Sequence, residues 1–292
     1  MKKTTKLVAL FTSALFIIGG FSSCGKLSPE EVLKKSSASM ENVKSTTYDM
    51  NMVMSLSSGE DKISMNFDMD IDQVYDPYGM KVVTTMDLGE LGNVKTDVYL
   101  VKDDETFITY TGMDYGTGET FWIKNTSEDM TDFEQYDAQA SLDLYIDCVN
   151  QFTEAGKEDI GSRKTMRYDG EITSDMIEKV FKETGMESLY STIGLDVNET
   201  MDFEEMKPLK LSIWIDEKTY IPVKYYLDMT DMMQSVVDKI IASELETAGE
   251  SYTEEIPSIK ADEVYISMVV TSIDSLDSIV IPDDVIDSAI EY

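Results

Sequence analysis

Two stretches decide the fold of this chain: Tyr48-Asp-Met-Asn-Met-Val-Met-Ser-Leu56 and Ile63-Ser-Met-Asn-Phe-Asp-Met-Asp-Ile71. In both, a large apolar side chain occupies every second position, and the residues between them are mostly polar. Residues 78–88 continue the pattern. Three successive runs with a period of two predict antiparallel strands that have one apolar and one solvated face.

The rest of the chain adds a few helices and more strands to these three runs. Ser28-Pro29-Glu30-Glu31 predicts the start of a helix that runs to about Val43, since it places a capping Ser, a first-turn Pro and two acids at the positive end of the helix dipole. Further helices are expected over residues 133–152, 174–184 and 231–246. The remaining strands are expected at residues 94–101, 105–110, 120–124, 163–172 and 264–273, with no long linker between them.

One hairpin has a distinctive sequence. Leu209 to Met229 predicts two strands around a turn at Asp216–Thr219, because an Asp at the first position of a turn accepts hydrogen bonds from the backbone that follows it. Pro222 predicts an edge strand or an irregular strand at this point, since it lacks the N–H that a sheet needs.

The hairpin resembles the signature of the LolA/LppX-like superfamily of bacterial lipoprotein carriers and lipid-binding lipoproteins. Trp214-Ile215-Asp216, Thr219, Pro222 and Lys224 carry the resemblance, and the tail Ile281-Pro-Asp-Asp-Val285 is similar to Gram-positive members of this group. The resemblance implies an α+β fold: a strongly curved antiparallel sheet, or unclosed half-barrel, with helices packed on a concave face that holds lipid acyl chains.

Composition excludes several classes of function. The chain has 292 residues with 24 Lys and Arg against 57 Asp and Glu, which gives a net charge of −33, and it has no His. So acidic a chain is unsuited to nucleic acid, whose phosphates require a basic face. The absence of His removes Ser-His and Cys-His catalysis and His-ligated metal sites.

The N-terminus resembles an export signal that ends in a lipobox. Lys2, Lys3 and Lys6 precede a short apolar run, and Ser22-Ser23-Cys24 follows it. We expect residues 1–23 to be removed, Cys24 to be acylated, and residues 24–292 to form a single domain on the outer face of the cell membrane. Loss of the three lysines changes the net charge to −36. An ordinary secretory signal with a chance Cys is the alternative.

The apolar side of the three first strands is the candidate ligand site. Met is flexible and polarisable, so a surface rich in Met repacks around varied apolar shapes. The candidate cavity residues are Tyr48, Met50, Met52, Met54, Ile63, Met65, Phe67, Met69, Met80 and Val82. An ordinary core in which Met replaces Leu is the alternative.

The helix over residues 231–246 is either a lid over this cavity or an ordinary core helix. Its apolar stripe includes the candidate lid residues Met232, Met233, Val236, Val237 and Ile240.

The sequence does not support a calcium site or a reactive cysteine. Asp68, Asp70 and Asp72 lack the Gly and Glu of a calcium loop and fit the solvated face of a strand. Cys148 lies in an apolar helical pattern, and with Cys24 acylated it has no disulfide partner, which predicts a buried thiol. We therefore expect a monomer, with no cofactor and no catalytic residue.

Two hypotheses for the function remain. The first is a membrane-anchored lipoprotein that carries or presents a lipid or another apolar ligand. The second is a surface interaction or sensor lipoprotein whose barrel is filled by its own side chains.

Overall fold

A computed structural model describes most of the chain. The described residues are 27–87, 92–114, 116–128, 143–144, 146–149, 151–183, 203, 206–248 and 258–291. Cys24, the predicted signal segment and most of the helix predicted over 133–152 lie outside these residues.

The described residues form four helices and twelve strands. The helices are α1 (Pro29–Met40), α2 (Ser174–Glu183), α3 (Thr230–Ala248) and α4 (Asp283–Ser288). The strands are β1 (Ser45–Ser58), β2 (Asp61–Tyr75), β3 (Tyr78–Asp87), β4 (Asn93–Asp103), β5 (Thr106–Asp114), β6 (Phe121–Ser127), β7 (Thr153–Ile160), β8 (Arg163–Ile172), β9 (Leu209–Asp216), β10 (Pro222–Asp228), β11 (Ile259–Ile273) and β12 (Ile290–Glu291).

All twelve strands belong to one sheet. Their order is β12-β6-β5-β4-β3-β2-β1-β11-β10-β9-β8-β7, so the sheet is open, with β12 and β7 at its two edges. The pairs are antiparallel except for the short β12, which runs parallel to β6. Register shifts occur in β11 where it pairs with β1, and also in β7 and β10, and such bulges bend a strand and increase its twist. The predicted α+β fold with an open, curved antiparallel sheet is confirmed.

Helices cover one part of the apolar face of the sheet. Ser28 caps α1 as expected: its hydroxyl accepts a hydrogen bond from the Glu31 N–H at 3.2 Å, and the Glu31 carboxylate accepts one from the Ser28 N–H at 2.8 Å. The main core packs α1, α2 and α3 against β8 to β11, with Leu33, Ile177 and Met232 fully buried. No described helix combines the length and the apolar character that crossing a bilayer requires.

The C-terminal segment covers part of the opposite face. Val285 of α4 packs with Tyr99 of β4 and Tyr110 of β5, and Ile279 and Ile281 border this small cluster. Gly79 of β3 leaves room for Ile279, since a Cβ at Gly79 would lie 3.1 Å from the Ile279 side chain. The segment ends in β12, which pairs with β6 and so covers part of the side of β6 that would otherwise be open to other chains.

Several element boundaries are confirmed and others are corrected. The strand predicted at 163–172 is β8, and the predicted hairpin is β9 and β10. Pro222 is the first residue of β10 and coincides with a register shift, but β10 lies between β9 and β11 and is not an edge strand. No strand is predicted at β7, because half of residues 153–160 are charged and the segment lacks an apolar alternation.

Candidate apolar ligand site

Six half-buried side chains form a continuous apolar surface on β1 and β2, which we call the methionine face. Its members are Met50, Met52, Met54, Met65, Phe67 and Met69. The register brings them together in directly opposed pairs: Met50 faces Met69, Met52 faces Phe67, and Met54 faces Met65. The period-two pattern of the sequence therefore places all six on one side of the sheet.

The neighbouring strands extend this surface on both sides. On β11, Met268 and Ile266 stand opposite Met50 and Met52, and on β3, Met86 stands opposite Phe67. From Tyr48 to Leu56 on β1, and at the positions paired with this stretch across β2, β3, β4 and β11, every described side chain on this side is uncharged. The sequence predicted β11 as a strand, and its alternation of Val264, Ile266, Met268 and Val270 is the signal that would have added it to the site.

The other predicted cavity residues lie at the borders of the methionine face. Tyr48, Met80 and Val82 are buried in a second core cluster, so they pack against the protein itself. Ile63 is 66% exposed near the turn between β1 and β2. The ten predicted residues thus pass from a packed core at one end, through the half-buried methionine face, to solvent at the other end.

The reverse side of the same strands is polar. The Asn51 amide donates to Asn66 and to Asp68, each at 2.7 Å, and the Asn66 amide donates to Asp68 at 2.9 Å. On this side, partial burial and the neighbouring carboxylate of Asp70 raise the pKa of Asp49. The contrast between the two sides agrees with the prediction that the aspartates of β2 line a solvated face. Among the described residues, no cluster of acids or Cys is arranged to hold a metal ion.

Helix α3 packs against β11, the strand next to β1 in the sheet. Met232, Met233, Val236 and Val237 are buried in the main core, and Ile240 packs against that core while remaining partly exposed. Their burial favours the core-helix interpretation of α3 over the lid.

Polar contacts hold α3 in the same place. The Gln234 side chain accepts a hydrogen bond from the Ala261 N–H at 2.7 Å and donates one to the Ile259 carbonyl at 3.2 Å. The Thr230 hydroxyl accepts from the Val264 N–H at 3.0 Å. These contacts give hydrogen-bond partners to the backbone groups of β11 beyond the point where its partner β10 ends. The helix therefore takes the place of a neighbouring strand there.

Two cavities bordering the described residues lie elsewhere in the molecule. One, of about 180 Å³, lies between α1 and the hairpins, and its lining includes Leu27, Val32, Tyr168 and Tyr220. Burial, and secondarily the charge of Glu154, raises the pKa of Tyr168 to about 12, so this phenol stays neutral at physiological pH.

The second cavity is polar and opens on the opposite face of the sheet. It has a volume of about 520 Å³, and its lining includes Arg167, Asp169, Lys210 and Ser212. Asp169 already accepts hydrogen bonds from Arg167 at 2.6 Å and Ser212 at 2.7 Å. Neither cavity is lined by a residue of the methionine face. Met50 and Met69 pack against the second core cluster and Met54 packs against the main core, while all three remain partly exposed.

The signature residues of the hairpin are structural. The Asp216 carboxylate accepts hydrogen bonds from the backbone N–H groups of Lys218 at 2.9 Å and Thr219 at 2.8 Å. Burial alone would raise the pKa of Asp216, but these hydrogen bonds outweigh it and hold the pKa below its ordinary value. Trp214 lies between two cations, with Lys224 Nζ 4.6 Å and the Arg167 guanidinium carbon 5.1 Å from its ring centre.

Cys148 is buried and forms no disulfide, as its apolar pattern predicted. A thiol removed from solvent in this way is unsuited to act as a nucleophile.

An open curved sheet with helices on its apolar face is the architecture that the resemblance to the LolA/LppX-like superfamily implies. The chain belongs to the family of unknown function DUF6612, whose model matches residues 28–290. No curated protein matches the chain.

The chain is also similar to several solved structures. LprF from Mycobacterium bovis is 13% identical, with a TM-score of 0.47 over 89% of this chain and 99% of that one. The lipoprotein LppX of Mycobacterium tuberculosis is 11% identical, with a TM-score of 0.43 over 85% and 96%. A putative outer membrane lipoprotein-sorting protein domain from Vibrio parahaemolyticus is 8% identical, with a TM-score of 0.26 over 88% and 95%.

Proposed function

We propose that this protein is an exported lipoprotein, anchored through acylated Cys24, that binds a lipid or another apolar ligand on the methionine face for carriage or presentation. The observation that carries the proposal is the continuous, uncharged and half-buried surface of paired methionines on β1 and β2. The proposed work is reversible binding, in which no covalent bond is made or broken.

The magnitude of apolar burial is sufficient for this work. Covering a few hundred Å² of apolar surface yields several kcal/mol at about 25 cal/mol per Å², from which the cost of association is subtracted. The flexible thioethers of Met52, Met65 and their neighbours accommodate chains of different shape at a low cost in strain. A surface of this kind favours acyl chains over rigid polar ligands.

Native mass spectrometry of gently purified protein tests the proposal directly. We expect a mass increment from a bound lipid, which organic extraction removes and mass analysis then identifies. Protein that carries no lipid and takes up neither lipid nor a hydrophobic dye contradicts the proposal.

Substitutions on the two faces of β1 localise the site. Met52→Asp and Met69→Asp place a charge on the methionine face, and we expect each to abolish uptake because burying a carboxylate under an acyl chain is unfavourable. Val53→Asp is the matched control, since Val53 is equally half-buried but points to the polar side of the same strand. Equal uptake by folded Met52→Asp and Val53→Asp proteins would remove the methionine face from the proposal.

The second candidate function is an interaction or sensor lipoprotein without a small ligand. The burial of Tyr48, Met80 and Val82 in the protein's own core favours it, as do the fixed contacts of α3 with β11. In this case the methionine face would contact another protein, and the purified chain would bind no lipid in the experiments above.

A further inference from the structure

The polar groups of the second cavity are held in fixed positions. Arg167 Nε donates to Asp169 Oδ1 at 2.6 Å, and the Ser212 hydroxyl donates to the same oxygen at 2.7 Å. Arg167 Nη2 also donates to Ser212 Oγ at 3.3 Å, and the guanidinium lies over the Trp214 ring. The ring N–H of Trp214 in turn donates to Glu158 at 2.7 Å. These contacts orient the polar groups of the cavity before any ligand binds.

The cavity keeps hydrogen-bonding capacity for a ligand. Both side-chain bonds to Asp169 end on Oδ1, and within the part of the chain that the structure describes no group donates to Oδ2. The lining also includes the amide of Gln151 and the hydroxyls of Thr153 and Thr173. The volume of about 520 Å³ lies in the range of small-molecule sites.

Two tyrosines continue this cavity along the same side of the sheet. The register pairs Tyr226 of β10 with Ser212, and Tyr265 of β11 with Asp228. Both rings are half-buried, and their centres lie 5.2 Å apart. Neighbouring strands are about 4.8 Å apart, so about 15 Å separates Asp169 on β8 from Tyr265 on β11. We call the second cavity and the two tyrosines the outer site.

The two phenols stay uncharged at neutral pH. Burial, followed by the charges of Asp228 and Glu263, raises the pKa of Tyr226. Burial and the charge of Glu263 likewise raise the pKa of Tyr265. Each phenol therefore presents an apolar ring together with a hydroxyl that both donates and accepts hydrogen bonds.

The charges in and around the outer site disfavour an anionic ligand. In the lining, the cations Arg167 and Lys210 are matched by the acids Asp169 and Glu171. The surroundings contain more acids than bases: Lys207 and Lys224 against Asp68, Glu158, Asp175, Asp228, Asp231 and Glu263. A ligand that binds here through hydrogen bonds and ring contacts is therefore uncharged.

We propose that the outer site binds an uncharged β-1,4-linked glycan. Sugar rings with equatorial substituents have flat apolar faces that pack on tyrosine rings, and their hydroxyls need the mixture of donors and acceptors that Arg167, Asp169 and Ser212 provide. The β-1,4 linkage keeps successive rings in an extended ribbon, which suits a site that crosses four strands. The outer site lies on the face opposite to the methionine face, so this inference does not depend on lipid binding or on acylation of Cys24.

Calorimetric titration of the purified protein with cellohexaose and with chitohexaose tests the proposal. We expect saturable binding of at least one of these two β-1,4-linked hexasaccharides, with the same affinity at about 0.1 M and about 0.5 M salt, because screening does not act on an uncharged ligand. If neither hexasaccharide binds, or if high salt abolishes binding, the proposal is wrong.

Substitutions of the two tyrosines test ring contact. We expect Tyr226→Ala and Tyr265→Ala each to weaken hexasaccharide binding about tenfold, because each removes an aromatic surface. Tyr226→Phe and Tyr265→Phe are the matched controls, since they keep the ring, and should bind within about twofold of the wild type. Folded alanine variants that bind as tightly as the wild type would exclude the tyrosines from the site.

A pair of aspartate variants locates the polar part of the site. We expect Asp169→Asn to weaken binding about tenfold, because hydrogen bonds to a charged acceptor are stronger than those to an amide. Asp72→Asn is the matched control, since Asp72 is also half-buried and accepts a hydrogen bond from Thr47 on the same face, but lies on β2. Equal affinities of these two variants would contradict binding at Asp169. This pair also decides the location if an alanine variant fails to fold.

Lipid uptake by the same variants separates this inference from the proposed function. We expect Tyr226→Ala and Asp169→Asn to take up lipid as the wild type does. Glycan binding by a protein that takes up no lipid refutes only the proposed function, and lipid uptake by a protein that binds neither hexasaccharide refutes only this inference.

Discussion

The two halves of the sheet have the same apolar alternation but different surroundings. In the covered half, β8 to β11 lie under α1, α2 and α3, and Met232 on α3 is completely buried. On the methionine face, Met52 is only half-buried, although the residues around it are equally apolar. The difference shows that alternation determines which way a side chain points, whereas the elements packed above it determine whether water reaches it.

The two halves of the sheet therefore differ in how much of their apolar surface is buried. The covered half supplies most of the buried apolar surface that stabilises the fold. The methionine face retains apolar surface that is not fully buried, which is the property a binding surface needs. The flexibility of methionine has different consequences in the two places. In the core it makes the packing less well ordered, and on the methionine face it lets the surface adapt to different apolar shapes.

Truncating one methionine in each half gives the largest expected contrast. We expect Met232→Ala to lower the free energy of unfolding by about 3 kcal/mol, because it leaves a cavity in a closed core. We expect Met52→Ala to cost about 1 kcal/mol, because less surface is lost and the site collapses or fills with water. Urea unfolding of both variants measures the difference; equal losses would mean that the methionine face is packed as tightly as the core.

The sequence predicts the sheet well because the pattern that determines each of these elements lies within a few neighbouring residues. Alternation over residues 48–88 specified the β1–β3 meander, Ser28 specified the start of α1, and Asp216 specified the turn between β9 and β10. The strand β7 is not predicted because half of its side chains are charged and they show no apolar alternation; its pairing with β8 makes it a strand. Pro222 predicts an edge strand or an irregular strand, and the second alternative holds, since a register shift accommodates Pro222 inside the sheet.

The candidate site was predictable only in part, since it depends on packing between distant segments. The six members of the methionine face follow from periodicity, but nothing in their local sequence separates them from Tyr48 and Met80, which are buried by contacts with β4 and β11. The attachment of α3 is also non-local, since Gln234 meets residues that lie 25 and 27 positions later.

Removing the hydrogen bonds between α3 and β11 tests whether they hold this helix on the covered half of the sheet. Gln234→Ala leaves the Ala261 N–H and the Ile259 carbonyl without their side-chain partner, and we expect a loss of about 2 kcal/mol in the free energy of unfolding. We also expect faster amide hydrogen exchange in residues 259–264 than elsewhere in β11. Asp238→Ala is the control, because the exposed Asp238 accepts from Gln234 at 2.8 Å, whereas Gln234 itself makes the hydrogen bonds to β11. If the two variants are equally stable, the hydrogen bonds do not hold the helix.

Two turns, one in each half of the sheet, allow the same comparison with smaller expected effects on stability. Asp216 in the covered half and Asp114, in the turn after β5, each accept hydrogen bonds from two backbone N–H groups that follow them. Asp216 is 8% exposed, whereas Asp114 is more accessible to water. We expect Asp216→Ala to cost about 1 kcal/mol at neutral pH and Asp114→Ala to cost less, because a better-shielded hydrogen bond is replaced less well by water.

The effect of Asp216 should depend on pH with a defined sign. Its pKa in the folded protein is below the ordinary value of 3.8, so the unfolded chain binds a proton first as the pH falls. The stabilisation is therefore fully present above pH 3.8 and disappears as the pH falls through the lowered pKa. Unfolding of the wild type and Asp216→Ala at neutral and acid pH should show the difference between them shrinking towards acid. A difference that grows towards acid would mean that burial, which raises the pKa, outweighs the backbone hydrogen bonds.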